Sequence, residues 1–507
     1  MLSPFGALMG QFFCIYLLFV FMSIRWINNA RIIRRRGKGD YKMTLIKSML
    51  KDKAFLRKTF AITIPIALQN LLNNLLNLVD TLMIGRLGET TVAAVGLANK
   101  VFFVFCLLMF GICSGSGILA AQYYGKRELV NIQRVLKMSL MIGVGASFLF
   151  VIPGVFFPEL VMRIFTPSDE TIKIGAAYLV IIAISYPLTA VTNCYVAVLR
   201  SMNYVKLPVI ITSIAILVNV VFNYGLIFGR LGMPELGVAG AAIATLLARV
   251  VEVSALLIIV YLHKAGDGAV GDFVHTKYVK AKENGVAFLH RTFVNKYLST
   301  AAPVIANEFM WGLGVTMYSL VYGRMGDSAM AAITITGTVE QVALVFFFGI
   351  CNAAAVILGN EMGADKLERA ERYAKYYMVL LFGLSVIGAI IVVLVKEPVI
   401  GIFEMPDTVN NYIRLCIITF AIYTPIRMLN CLIIIAILRS GGDTKAALFL
   451  DVSSVWLIGI PMAVLGGLVL HLPIYFVYAM ITIEEVYKLV FGYIRYRKKK
   501  WLKNIVA

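Results

Sequence analysis

The chain has 507 residues, 60% of them hydrophobic and 15% charged, with a mean hydropathy of +0.86. Soluble domains carry about 45–50% apolar and about 25% charged residues, so a soluble globule is excluded, and 7 scattered Cys exclude a disulfide scaffold. A net charge of +20 would suit a nucleic-acid surface in a soluble protein, but here Lys and Arg sit between apolar runs, as they do in cytoplasmic loops of membrane proteins.

A bilayer core of about 30 Å takes roughly 20 apolar residues per helix. The apolar runs are continuous, not alternating, which disfavours a β-barrel. Residues 7–24 are apolar and are followed by Arg25, Arg31, Arg34, Arg35, Arg36 and Lys38. Charge after the apolar run is the reverse of a signal peptide. Residues 1–42 therefore read as an N-terminal extension with a signal-anchor helix, the alternative being that Met43 is the start. Twelve spans follow, near 60–84, 92–121, 137–157, 172–199, 207–229 and 237–262, then 297–322, 330–359, 376–395, 411–438, 446–470 and 473–494.

With the segment before residue 60 in the cytoplasm, inner loops collect Lys126, Arg127, Arg134, Arg200, Lys206, Lys366, Arg369, Arg372, Arg439 and Lys445. Outer loops hold single charges: Arg86, Arg163, Arg230, Arg324 and Lys396. The positive-inside rule therefore puts both ends of the twelve-helix core in the cytoplasm. The organisation expected is an N-terminal six-helix bundle at 43–262, a polar cytoplasmic linker at 263–296, a C-terminal six-helix bundle at 297–494 and a basic cytoplasmic tail at 495–507.

The two halves repeat. Pro65, Gly85, Gly88, Gly111 and Gly125 find partners at Pro303, Gly323, Gly326, Gly349 and Gly363, each 238 residues on. FGIC at 110–113 recurs at 348–351, and LRS at 199–201 recurs at 438–440, one residue later. Six spans per half make a parallel repeat, with the substrate path expected between the halves and alternating access by rocking.

The first half contains Pro65, VDTLMIGRLG (79–88), AAVGLA (93–98), QYYGK (122–126) and LRSMNYVKLP (199–208). In order and spacing these resemble the multidrug and toxic compound extrusion (MATE) transporters of the bacterial NorM/DinF-like kind, from about Met43 to the C-terminus. The resemblance implies twelve helices in two bundles and export of cationic or amphiphilic compounds in exchange for Na⁺ or H⁺. The extension 1–42 is not part of that pattern.

Charged side chains within spans are costly, about 2.5–3.5 kcal/mol each on insertion scales, and so invite a functional reading. Asp80 lies in the outer half of the first span and reads either as a cation or proton site or as an interfacial cap before Gly85. Asn219 and Asn223, four apart, share a helix face, where two amide oxygens can ligate a hard cation or bond a neighbouring helix. Asn193 lies in the preceding span and Thr245 in the next. The resemblance implies that Asp80, Asn193, Asn219 and Asn223 form the N-half coupling site, a candidate for Na⁺, with Thr245 a weaker ligand. Some members have a second acid where Asn223 stands, so one formal charge is missing here. Glu308 lies near mid-membrane in the seventh span, and the NorM-like pattern has a Glu in this stretch. That pattern's acid in the tenth helix is absent, with only Arg427 and Asn430 there, and pairing of Arg427 with Glu308 is the expectation. Glu308, Glu340 and Arg427 are candidates for a substrate or second coupling site. Asp451 reads as structural. Glu484 and Glu485 with Lys488, and Arg249 with Glu252, read as local ion pairs.

The function expected is a secondary active multidrug exporter in the cell membrane. Its partners would be the bilayer and small cationic or amphiphilic drugs or toxins. A monomer is expected, with no nucleic-acid partner and no cofactor beyond the coupling ion. A flippase for lipid-linked precursors is the alternative, but anionic headgroups would want several cavity cations and only Arg427 qualifies. An enzyme is disfavoured, because the four His (His263, His275, His290, His471) lie at span edges or in the linker. A primary pump is disfavoured too, since no GxxxxGK[ST] loop is present.

Overall fold

The computed structural model describes residues 38–262, 290–403 and 405–507. The expected anchor helix at 7–24 and most of the linker lie outside the described residues. Among the described residues, those from Lys38 to Arg57 form one compact unit and those from Lys58 onward another. In the first, a helix at Lys38–Lys51 ends where Asp52 Oδ1 accepts from Phe55 N at 3.0 Å and starts the next helix.

The protein is all-α, with no strand among the described residues. Its membrane helices are α1 (Lys53–Gly85), α2 (Glu89–Gly125), α3 (Leu129–Phe156), α4 (Asp169–Ala183 and Ser185–Ser201), α5 (Lys206–Phe228) and α6 (Gly237–Leu262). The second set is α7 (Arg291–Arg324), α8 (Asp327–Gly363), α9 (Leu367–Gly401), α10 (Asp407–Leu438), α11 (Thr444–Val469) and α12 (Ile474–Ile481 and Ile483–Arg497). Ten of these are singly long and apolar enough to cross a bilayer, and α4 joins them as a pair bent by 45°. The twelfth, α12, is broken at Thr482 and carries Glu484, Glu485 and Lys488 in its second half. Several helices outrun their apolar windows: α1 begins at Lys53 and α9 at Leu367, because backbone bonding continues into the interface where hydropathy has already fallen.

The bend of α4 has a local cause. Pro187 lacks an N–H and its ring crowds the carbonyl four residues back, at Ala183, where the first segment ends. In α11, Pro461 follows a π-helical turn, Val455–Gly459, whose wider winding absorbs the missing bond. The turns α1–α2 and α7–α8 need glycine: Gly88 and Gly326, partners in the repeat, sit at φ +107° and +106°, where L side chains are strained.

The halves meet along α2, which packs against α7 and α8. The seam is tightest at the end that carries the basic loops. A Cβ on Gly363 would overlap Gln122 O, one on Gly125 would overlap Asn360 O, and one on Gly115 would lie 2.7 Å from Ala301 Cα. Ser116 and the Tyr297 hydroxyl bond across it at 2.7 Å, and Thr59 meets the Tyr377 hydroxyl at 2.8 Å. Toward the other end, Gly96 and Gly337 have nothing within 4 Å of an added Cβ.

A short segment after α12 closes over this seam. Trp501 is fully buried, stacked on Tyr496 with centroids 5.8 Å apart. Ile505 N donates to Gln122 Oε1 at 2.8 Å and Lys126 Nζ to Val506 O at 2.8 Å, so the segment bonds to α2 and its turn. On the other half, Asn504 Nδ2 donates to Asp365 Oδ1 at 3.2 Å and Lys499 Nζ to Glu371 Oε2 at 2.7 Å. Arg495 grips Asp443 with two bonds, at 2.6 and 2.8 Å.

Candidate functional site

In the first half, α1 brings Asp80, α5 brings Asn219 and Asn223 on one face, and α6 brings Thr245. They form one chain of hydrogen bonds. Asn223 Nδ2 donates to Asp80 Oδ1 at 2.7 Å and to Asn219 Oδ1 at 2.9 Å. Asn219 Nδ2 donates to Thr245 Oγ1 at 3.2 Å, and that hydroxyl donates to Ala241 O at 3.1 Å. The two asparagines are buried while Asp80 and Thr245, the two ends of the chain, are half-buried. Both N–H groups of the Asn223 amide are spent, on Asp80 and on Asn219, yet Asn223 Oδ1 has no partner. A buried carbonyl oxygen without a donor is costly; a proton on Asp80 or a hard cation between the two side chains would satisfy it. Asn193 is half-buried and stands outside this chain.

A second polar layer lies nearer the basic end. Arg200 donates to Gln69 Oε1 at 2.5 Å, Gln69 Nε2 to Thr212 Oγ1 at 2.9 Å, and Thr212 to Glu252 Oε1 at 3.1 Å. The expected local pair of Arg249 with Glu252 is present at 2.6 Å, and Arg249 is within electrostatic reach of Asp80.

In the second half the pairing expected of Arg427 is corrected. Arg427 bonds Glu340 at 2.7 Å, not Glu308. Tyr423 and Tyr478 close around the same carboxylate, Arg427 also meeting Tyr423 at 3.1 Å. Glu308 pairs instead with Arg439 at 2.8 Å, and both are buried. Arg439, expected in an inner loop, lies inside the bundle at 1% exposure. An uncompensated mid-membrane carboxylate would be costly, and Arg439 compensates this one. Its repeat partner Arg200 reaches inward in the same way. The LRS recurrence held that signal. Glu484 and Glu485 do bond Lys488 locally, and Asp451 joins them across helices at 3.3 Å.

Twelve membrane helices in two packed halves, polar chains buried inside each, define a secondary-transporter architecture. A family model described as MatE matches residues 65–225 and 303–465, one match per half. The chain therefore belongs to the MatE family, whose members are transporters, not enzymes. It is 25% identical over 474 residues to the uncharacterized transporter YisQ of Bacillus subtilis, covering 92% of this chain and 99% of that one. It is 24% identical over 410 residues to the probable multidrug resistance protein NorM of Thermotoga maritima, covering 80% and 84%. Among solved structures, an outward-facing multidrug resistance MATE transporter superposes with a TM-score of 0.76 at 18% identity, covering 87% of this chain and 95% of that one. A Vibrio cholerae MATE transporter gives 0.75 at 16%, covering 88% and 97%.

Proposed function

We propose that the protein exports small cationic or amphiphilic molecules from the cell across the plasma membrane in exchange for H⁺ or Na⁺, with the Asp80 chain as its coupling site. The observation that carries this reading is the orphaned Asn223 Oδ1 beside the half-buried Asp80. Loading that site supplies the missing partner and neutralises the carboxylate, so loaded and empty forms differ in their bonding of α1 to α5. A ligand shifts states only by its differential affinity for them, and this difference lies on the helix pair that leads to the seam between halves. Under the positive-inside rule the closed, basic end faces the cytoplasm, and the form described is then the outward-facing one. The flippase alternative loses its one support, because Arg427 is neutralised by Glu340.

The test is transport of a fluorescent cationic dye in proteoliposomes, driven by an imposed pH gradient or an imposed Na⁺ gradient. One gradient should drive dye movement, and Asp80→Asn should reduce it by about tenfold or more, equivalent to about 1.4 kcal/mol of lost coupling. Dye movement that ignores both gradients, or that survives Asp80→Asn unchanged, removes the proposal.

A further inference from the structure

The repeat gives several polar residues of the first half a polar partner in the second, although Asn219 and Asn223 fall opposite Ile458 and Met462. Gln69, Asp80 and Arg200 stand opposite Asn307, Tyr318 and Arg439, and Thr212, Thr245 and Arg249 stand opposite Asp451, Glu484 and Lys488. The bonds follow the same plan. Asn307 Nδ2 donates to Asp451 Oδ2 at 2.9 Å, matching the 2.9 Å bond from Gln69 to Thr212. At the place equivalent to Asp80 and Thr245, acid and hydroxyl have changed helices: Tyr318 on α7 donates to Glu484 Oε2 on α12 at 2.6 Å.

Three carboxylates gather there on one ammonium. Lys488 Nζ lies 3.3 Å from Asp451 Oδ1, 3.3 Å from Glu484 Oε1 and 3.6 Å from Glu485 Oε1. Glu484, Glu485 and Lys488 are buried. The neighbouring charges are already matched, Arg439 to Glu308 and Arg427 to Glu340, and the other titratable groups facing the cluster are the phenols Tyr318, Tyr322, Tyr423 and Tyr487. Fully ionised, the cluster would hold two uncompensated negative charges in the membrane interior, each worth several kcal/mol after relaxation. Two buried amides report the same deficit. Asn430 is 3% exposed and turns its Nδ2 onto Glu485 Oε2 at 2.7 Å, and Asn307, 1% exposed, turns its own onto Asp451; the Oδ1 of each lacks a donor. Gly459, in the π-helical turn of α11, brings bare backbone so close that a Cβ would overlap both Tyr318 and Glu484. Local π turns of this kind often mark functional sites. Lys488 already occupies the centre of the cage, leaving no room there for a metal ion, whereas a proton needs none. The side chain of Asp451 is 15% exposed and offers a way in.

We propose that Asp451, Glu484 and Glu485, gathered on Lys488, form a proton-accepting site of the C-terminal bundle, the pseudosymmetric counterpart of the Asp80 site. The step is one O–H bond formed on a carboxylate oxygen, with the proton taken from water and returned to it. Its use in transport rests on the coupled-export reading; the protonation itself does not. A proton there, with the Asn430 or Asn307 amide turned so that its oxygen faces the carboxyl group, supplies the donor that oxygen lacks and loosens the hold of Lys488 on α11 and α12.

The purified full-length protein is titrated in lipid nanodiscs between about pH 8 and about pH 5, a range above the ordinary carboxyl groups in which raised ones respond. Infrared difference spectra read the carboxylic C=O band. A band amounting to about one proton per chain or more, retained in Asp80→Asn and reduced in Glu484→Gln and in Glu485→Gln, is the expected result. Tyr318→Phe keeps every carboxylate and the packing, and should move the midpoint of the band, so the site stays testable if the Gln variants do not fold. A band that vanishes with Asp80→Asn, or that none of these C-terminal variants alters, overturns the proposal. Loss of dye export with the band intact would count against the transport reading alone. Asp80-dependent export with no such band would count against this site alone.

Discussion

Gly363→Ala tests whether the seam at the basic end is a contact made in only one state. The added Cβ would overlap Gln122 O and lie 2.6 Å from both C and Cα of Gln122, all of it backbone that no rotamer change relieves. Non-bonded carbons settle at about 3.5–4.0 Å, so α2 and α8 must part by roughly 1 Å. Overpacking of this kind costs about 1–3 kcal/mol. A transporter that opens this end pays that cost only while the end is closed. At about 1.4 kcal/mol per factor of ten, the closed form loses population by about 5- to 150-fold relative to the open one. The assay is pulsed electron paramagnetic resonance between spin labels at Arg127 and Lys366, exposed positions just beyond α2 and α8, in a background with the half-buried native cysteines replaced. The long-distance component should grow in Gly363→Ala. It should not grow in Gly96→Ala, where a Cβ meets nothing within 4 Å. A distance distribution and thermal stability both equal to wild type in Gly363→Ala would refute the reasoning.

Further expectations concern single groups. Glu308→Gln strands the buried Arg439 and should cost about 3–5 kcal/mol of stability, read as a lowered unfolding temperature in detergent; an unchanged midpoint would mean that the pair contributes nothing. Trp501→Ala removes a fully buried indole, worth about 3–5 kcal/mol in a packed core, and should lengthen the Arg127–Lys366 distance as well as lower thermal stability. Asn223→Asp adds the second formal charge that a Na⁺ ion would favour, and the ratio of Na⁺-driven to pH-driven dye export should rise by about tenfold, or 1.4 kcal/mol.

The helical architecture was legible because apolar windows and the repeat are one-dimensional signals. Positions 238 apart could be matched without coordinates, and they foretold that Gly88 and Gly326 would occupy equal turns. The membership of the Asp80 chain was legible in part: Asn219 and Asn223 announce a shared face by spacing alone, and Thr245 joins them, whereas nothing in the spacing separates Asn193, which the fold leaves outside. Pairing across helices was the hard part. Glu308 and Arg439 meet at 2.8 Å although they stand on elements far apart in the chain, and sequence distance carries no record of such a meeting. Arg439 was assigned to a loop because it ends an apolar window, yet the π-helical Leu432–Leu438 carries it on inside the bundle. Asp451 gave no hint of Lys488 for the same reason, although the repeat partner of Lys488, Arg249, already had a carboxylate three residues on.

The segment 498–507 also sets an order of events during synthesis. Residues 503–506 are translated after every helix of both bundles, yet they are the ones that bond Gln122 and Lys126, far back in the first half. Because domains generally fold as units in the order they emerge, each bundle inserts into the bilayer before the strap exists. The nascent protein must therefore hold its two halves together at first by the close glycine contacts and the hydroxyl bonds of the seam. A peptide fused directly after Ala507 would burden the final closure and leave the insertion of the helices untouched.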